Sequence, residues 1–527
     1  MMEDTHLQHP LSAGSPRGIR RDRATQENVE VMVGWTLRQA IGASKRNPAA
    51  ISGAPRLDGD HRAKRPAAGP RVATLRPMRR SRILAAMGAF STLVAVWAGA
   101  VAPPALAGGA PVSPSADDFY RAPDGFESTA PGTILRERPI QLASYSALPF
   151  NAQAWQLLYR TTDLAGNPMA TVTTVILPAG APPTGGRPLL SYQMATDSLD
   201  PACAPSVAMQ PGSGLESFTS QGEMTFVGQA LQRGWAVSVP DHQGPAARMG
   251  APREPGYAAL DGIRAAEQFA PLGLPGTQTP VGLWGYSGGG LASAWAAQVQ
   301  PSYAPELNVR GFALGSPAPD PVPVIDHLGG TFWAGLQTLV LASAQRVFPD
   351  AVREIDARLT PAGRAALAAQ SDQCLASTMV TNLFRDNTGY WTVPLTELLQ
   401  LPAVAAAIEQ TKLGGTAPTA PVYLYSGVND EIVPIATVDH LADTYCAGGT
   451  PLTYRRDEIS LHATLIMTGA ADALNWLGDR IDGEPSAPGC DTQTLTSTLQ
   501  APGAAESYVS TTLGMGDILM GRPIGPR

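Results

Sequence analysis

The sequence predicts an α/β fold, a mostly parallel sheet flanked by helices and interrupted by a helical insertion. Short apolar runs ending in turn residues alternate with stretches of helical spacing, at intervals that suit crossover connections. One such run, Val281 to Trp284, leads through Gly285-Tyr286-Ser287-Gly288-Gly289 into a helix of small residues. From Pro317 to about Thr416 the chain shows little strand character.

Composition narrows the options. The 527 residues are 44% hydrophobic and 15% charged, which is globular. The formal charge of -7 is unevenly spread: residues 1–107 hold 16 Lys and Arg against 7 Asp and Glu, and the remainder holds 21 against 37. So acidic a body argues against nucleic acid, whose phosphates demand basic patches. Cys203, Cys374, Cys446 and Cys490 form no CxxC pair, which argues against a zinc or thioredoxin-like site. In an exported chain an even count suggests two disulfides with three connectivities open, and buried free thiols are the alternative.

Residues 1–77 lack periodicity, are rich in Arg, Gly, Pro and Ala, and read as a disordered extension. Met78-Arg79-Arg80-Ser81-Arg82, the mostly apolar run Ile83 to Val101, and Ala105-Leu106-Ala107 then have the layout of a signal peptide over 78–107. The paired arginines suggest twin-arginine export, and the apolar run is also long enough for a membrane anchor. A signal peptide belongs at the start of a chain. Met78 is therefore expected to be the true start, residues 1–77 an over-extended reading frame, and Gly108 the first residue of the secreted form.

The fold is read from 108 onward. Asp117 to Arg138 is polar and loop-like. Ala154–Arg160 and Ala170–Leu177 read as strands about the turn Asp163 to Pro168. Pro188–Tyr192 is a short strand, followed by a loop from Gln193 to Ser206. Ser220–Arg233 has helical spacing, Gly234–Asp241 is a buried strand ending in a polar turn, and Tyr257–Phe269 is an amphipathic helix. After the Leu291–Gln300 helix come strands at Val309–Leu314, at Pro421–Gly427 and, last, roughly from Leu452 to Ile459. The core thus runs from 108 to 316 and resumes from 417 to 490. In the insertion, 317–416, Phe332, Leu336, Leu339, Val340 and Val347 recur at helical spacing, and Thr360-Pro361 reads as an N-cap and first turn for Ala362–Ala369. Its apolar stripes are either ordinary core or a lid facing an oily substrate. Residues 491–527 read as a polar tail.

A serine between a strand and a helix, framed by residues without Cβ atoms, matches the strained elbow that presents a nucleophile. Ser287 is that residue, and the Gly288 N–H at the helix start can stabilise an oxyanion. A serine hydroxyl needs an adjacent base. The body contains His242, His327, His440 and His462. The chain order of this architecture, serine then acid then histidine, leaves the last two. His440 lies inside an apparent helix, where a half-buried structural role is expected. His462 lies on a loop between the final strand and a helix spanning Ala463–Leu477, so it is the base. Asp430, in the turn after Pro421–Gly427, is the acid that orients it, with Glu431 as the neighbouring alternative and Asp439 and Asp443 as solvated helix positions.

Together these segments resemble the secretory lipase family, the lipase A-like branch of the α/β-hydrolase fold. The resemblance covers about Asp117 to Cys490. It rests on SYQMATDSLDPACAPS (Ser191–Ser206), GWAVSVPDHQGP (Gly234–Pro245), DGIRAA (Asp261–Ala266), GYSGGG, GVNDEIVP and LHATLI, in that order. It implies a second oxyanion donor at Asp197, a lid over an acyl-binding tunnel, and disulfides Cys203–Cys374 and Cys446–Cys490. The N-terminal extension and the tail depart from the pattern. The expected function is a secreted serine ester hydrolase acting on lipid esters, triacylglycerol foremost, at an oil–water interface, with no metal or organic cofactor needed. A carboxylesterase or acyltransferase using the same triad, and an inert scaffold used for binding, are the alternatives.

Overall fold

The computed structural model describes residues 110–526. The expected extension, signal peptide and Gly108 start lie outside the described residues. Ten strands form one sheet: β1 (Ile134–Ser144), β2 (Leu148–Thr162), β3 (Pro168–Leu177), β4 (Leu189–Gln193), β5 (Ala236–Pro240), β6 (Val281–Tyr286), β7 (Val309–Gly315), β8 (Val422–Gly427), β9 (Leu452–Asp457) and β10 (Cys490–Leu495). Their spatial order is β1-β2-β3-β5-β4-β6-β7-β8-β9-β10. β5 to β10 run parallel to one another, and β1 to β3 form an antiparallel edge that joins at β5.

Helices cover both faces. They are α1 (Pro205–Ala208), α2 (Phe218–Gln232), α3 (Glu254–Gln268) and α4 (Gly288–Tyr303) before the insertion. The insertion holds α5 (Pro321–Leu328), α6 (Ala334–Val347), α7 (Pro349–Asp356), α8 (Pro361–Ala368), α9 (Leu375–Thr381), α10 (Leu395–Leu398) and α11 (Pro402–Thr411). After it come α12 (Ile435–Ala447), α13 (His462–Thr468), α14 (Ala470–Ile481) and α15 (Ala504–Leu519). β4, β5, β6 and β8 are buried at every position, as strands covered on both faces must be. Alternation along β6 divides two cores. Val281 and Leu283 join α3 and α4, whereas Trp284 and Tyr286 join α2 and α14. The insertion packs a third core of its own around Leu339, Ile355, Leu367, Tyr390 and Trp391.

As expected, Thr360 caps α8 through its hydroxyl, which accepts the Gly363 N–H at 3.1 Å. Cys203 pairs with Cys374 and Cys446 with Cys490. Several expectations fail. The stretch read as a loop up to Arg138 already contains the start of β1, and β9 is followed by β10. Both are edge strands whose exposed, charged or polar residues hide the strand pattern. The helix expected over Ala463–Leu477 is two, α13 and α14, parted at Gly469, and His462 opens α13 rather than lying in a loop. Phe332 precedes α6 and is exposed, so it is not part of that helix's apolar stripe.

The tail is also no tail. α15 packs on α14 and α2, with Ile518 buried against α2, and Ile524 buried where its N–H meets the Asn151 carbonyl. Fully burying such a side chain is worth roughly 1.5–3 kcal/mol. Deleting residues 504–527 should therefore lower stability by about 3–6 kcal/mol in chemical denaturation, whereas a dispensable tail would leave the midpoint unchanged.

Candidate active site

Four strand ends build the site. β6 stops at Tyr286 and α4 begins at Gly288, leaving Ser287 alone between them with φ 54. A side-chain-bearing residue is strained there and persists only where its surroundings enforce it. Here the Ser287 N–H donates to the Gly315 carbonyl of β7 at 2.8 Å, and the Ser287 carbonyl accepts from Leu291 N at 2.8 Å. The first turn of α4 lies so close to β4 that a Cβ on Gly289 would sit 1.9 Å from the Gln193 carbonyl oxygen. Only glycine permits that approach.

The β8 and β9 ends supply the partners. Asp430 accepts the N–H groups of Ile432 at 2.9 Å and Val433 at 2.8 Å on Oδ1, which leaves Oδ2 for the histidine. His462 Nδ1 lies 2.8 Å from Asp430 Oδ2, and its Nε2 lies 2.8 Å from Ser287 Oγ. With the carboxylate on Nδ1, the proton belongs on that nitrogen and Nε2 is free to accept the serine proton. Burial raises the pKa of the Asp430 carboxyl, but the His462 ring and the two N–H groups outweigh it and hold it below the usual carboxylate range. The His462 carbonyl accepts the Tyr286 hydroxyl at 2.8 Å.

The other histidines stand elsewhere. His327 and His440 are exposed, so His440 is not the half-buried residue expected. His242 is buried and its Nε2 donates to the Met194 carbonyl at 2.8 Å. Glu431 is not on the imidazole: its Oε2 accepts the His462 backbone N–H at 2.6 Å, which ties down the first residue of α13. Asp439, expected to be solvated, accepts from Tyr454 and pairs with Arg456.

Asp197 follows β4 in left-handed backbone, φ 39, and is buried. Its carboxyl occupies the space beside Gly288, where a Cβ would lie 2.1 Å from Oδ1. Gly288 is the first residue of α4, whose opening N–H groups have no partner within the helix. Burial pushes the Asp197 carboxyl up to about 6, against the opposing pull of His462. Beside this cluster opens a cavity of ≈ 190 Å³, reached by Ser287, Gly288 and Asp197 and walled by apolar residues of the insertion such as Ile325, Leu336, Val340 and Ile355. The Cys203–Cys374 bond and the Leu199 N–H to Gln373 carbonyl bond (3.0 Å) join the Asp197 segment to the insertion.

Sequence reasoning missed Glu223, whose carboxyl group accepts the Ala195 N–H at 3.0 Å beneath this segment. An acid one turn before Phe226 and Val227, within a stretch of helical spacing, is the signal that could have found it.

Residues 209–489 match the family model described as secretory lipase. The chain is 37% identical to Lipase A of Arthroderma benhamiae over 80% of this chain and 91% of that one. It is 44% identical to a probable inactive lipase of Mycobacterium tuberculosis over 71% of this chain and 84% of that one. Among solved structures it resembles Candida antarctica lipase A in its closed state, with TM-score 0.69 and 28% identity over 79% of this chain and 99% of that one.

The elbow geometry has a direct consequence. Gly289→Ala drives a methyl group into a backbone carbonyl that cannot rotate away, and should destabilise the protein by about 3 kcal/mol or more in chemical denaturation. A stability change under about 1 kcal/mol would contradict the packing described.

Proposed function

The chain belongs to the secretory lipase family, and on that premise we propose that it is a secreted serine ester hydrolase acting on lipid esters, with triacylglycerols the leading substrate class. The observation that supports this most is the hydrogen-bonded chain Asp430–His462–Ser287, with both links at 2.8 Å and Ser287 at an apolar cavity.

In this reading Ser287 Oγ attacks the ester carbonyl as His462 Nε2 takes its proton. Asp430 keeps the imidazole in the required tautomer and stabilises the imidazolium. The N–H groups of Gly288 and Asp197 bind the tetrahedral oxyanion. Collapse of the intermediate breaks the bond to the alcohol, which leaves with the proton from His462. Water then attacks the acyl-enzyme by the same route and frees the acid. The cavity takes the acyl chain, and residues 317–416 act as its lid. Export through the 78–107 segment would give a product beginning at Gly108, which N-terminal sequencing of secreted protein tests.

One relative favours a second reading, since a similar protein is named a probable inactive lipase. Rates on 4-nitrophenyl esters from acetate to palmitate, with and without an emulsion, separate the readings. A lipase prefers long chains and emulsions, a carboxylesterase prefers short soluble esters, and an inert scaffold turns over none. Ser287→Ala and His462→Ala should each cost on the order of 10⁴-fold in kcat, and Asp430→Asn somewhat less. Loss of turnover in His440→Ala but not in His462→Ala would reverse the assignment of the base.

The Asp197 carboxyl adds a pH dependence. Its pKa in the fold, about 6, lies above the ordinary aspartate value, so it is neutral below about pH 6 and ionises above it. Neutral, it can donate to the oxyanion; ionised, it repels it. The ratio of Asp197→Asn to native kcat should therefore rise with pH above about 6. A ratio that stays flat assigns Asp197 to the reaction through its backbone N–H alone.

A further inference from the structure

Glu223 is buried at the centre of α2, among Met224, Phe226 and Val227 of the same core. No lysine or arginine of the described residues forms an ion pair with it. Its contacts are the Tyr192 hydroxyl, which donates to Oε2 at 2.6 Å, and the Ala195 N–H, which donates to Oε1 at 3.0 Å. Burial pushes the carboxyl up to about 8, more than these two donors pull it down. An apolar side chain would suit this layer better by burial alone.

What Glu223 supplies is a partner for a backbone group that the sheet has abandoned. β4 ends at Gln193, and from Met194 onward the chain leaves its strand neighbours while still buried. Buried polar groups need partners, and several in this segment find theirs on side chains. His242 holds the Met194 carbonyl at 2.8 Å, Glu223 takes the Ala195 N–H, and the Ser198 hydroxyl donates to the Thr196 carbonyl at 2.7 Å. Directly after them Asp197 adopts the left-handed conformation that puts its carboxyl against Gly288. A non-glycine residue keeps such a conformation only where flanking contacts enforce it.

We propose that Glu223 is a positioning residue for the oxyanion site: by fixing the Ala195 N–H it holds Asp197 in place, and so governs the rate of both acyl-transfer steps rather than the binding of the ester. This rests on the serine hydrolase reading above. Glutamine can keep both contacts, since its carbonyl accepts from Ala195 and its amide reaches the Tyr192 oxygen. Leucine keeps the volume and removes the Ala195 contact. Aspartate keeps the acid but draws it back by one methylene. Tyr192→Phe removes the other contact and leaves Ala195 held.

The test is kcat and KM on a soluble 4-nitrophenyl ester for the full chain, with amide hydrogen exchange followed over residues 194–198. Glu223→Leu should lower kcat by about 10- to 100-fold with KM within about twofold, a smaller loss than deleting an oxyanion donor outright. Exchange at Ala195 should rise with it. Glu223→Gln and Tyr192→Phe should stay within about threefold of native. If the leucine variant does not fold, Glu223→Asp provides the same comparison, with kcat expected below that of Glu223→Gln. The proposal is overturned if the leucine or aspartate variant keeps native kcat, if the loss appears in KM, or if glutamine loses as much as leucine. A native protein that turns over no ester overturns the hydrolase reading, and this proposal with it.

Discussion

The rest of the site depends on the close approach of the α4 N-terminus to the end of β4, where Gly289 meets the Gln193 carbonyl. That contact sets the distance between two chain segments far apart in sequence. On one side it fixes Ser287 and the Gly288 N–H. On the other it fixes the segment leading to Asp197. A parallel sheet favours such a meeting because its strand ends all point to one edge, and neighbouring strands can deliver loops side by side. β4 and β6 are adjacent and parallel, with Gln193 level with Gly285, so the two loops emerge at the same height. The strain at Ser287 and Asp197 is local, and the packing around it is what keeps it.

Carboxyl groups, most of them buried, then do for the loops what strand pairing does within the sheet. Asp430 accepts from Ile432 and Val433 and orients His462. Glu431 accepts from the His462 backbone. Asp457, at the end of β9, accepts the N–H groups of Ile459, Ser460 and Thr498, which links the histidine loop to the C-terminal segment. Glu223 fills the same role beneath Ala195. Where such an N–H is buried and has no other acceptor, leaving it unpaired costs about 1–3 kcal/mol. The arrangement also makes the C-terminal segment part of the support for His462, well away from the serine in sequence.

The sequence was most legible where sterics leave few choices. A serine framed by glycines between a strand and a helix admits little else, and the order of the strand ends left one histidine in reach of it. The central strands were legible because full burial demands continuous apolar runs. β1 and β10 were not, since an edge strand meets solvent and its pattern fades into that of a loop. The segment after Asp491 was misread for a related reason: its polar residues dominate the composition, while Ile518 and Ile524 do the packing. The pairing of Cys203 with Cys374 spans 171 residues, too far for spacing to show, and followed from family resemblance alone. Glu223 stayed hidden because its worth comes from a partner on another element.

In the proposed mechanism everything turns on Ser287 as a nucleophile activated by His462. Reaction with a fluorophosphonate, followed by tryptic digestion and mass spectrometry, tests it most directly. One phosphonylated site is expected, on the peptide containing Ser287, with loss of that adduct in His462→Ala. An unmodified Ser287 in folded native protein, or an adduct that forms equally well without His462, would contradict it.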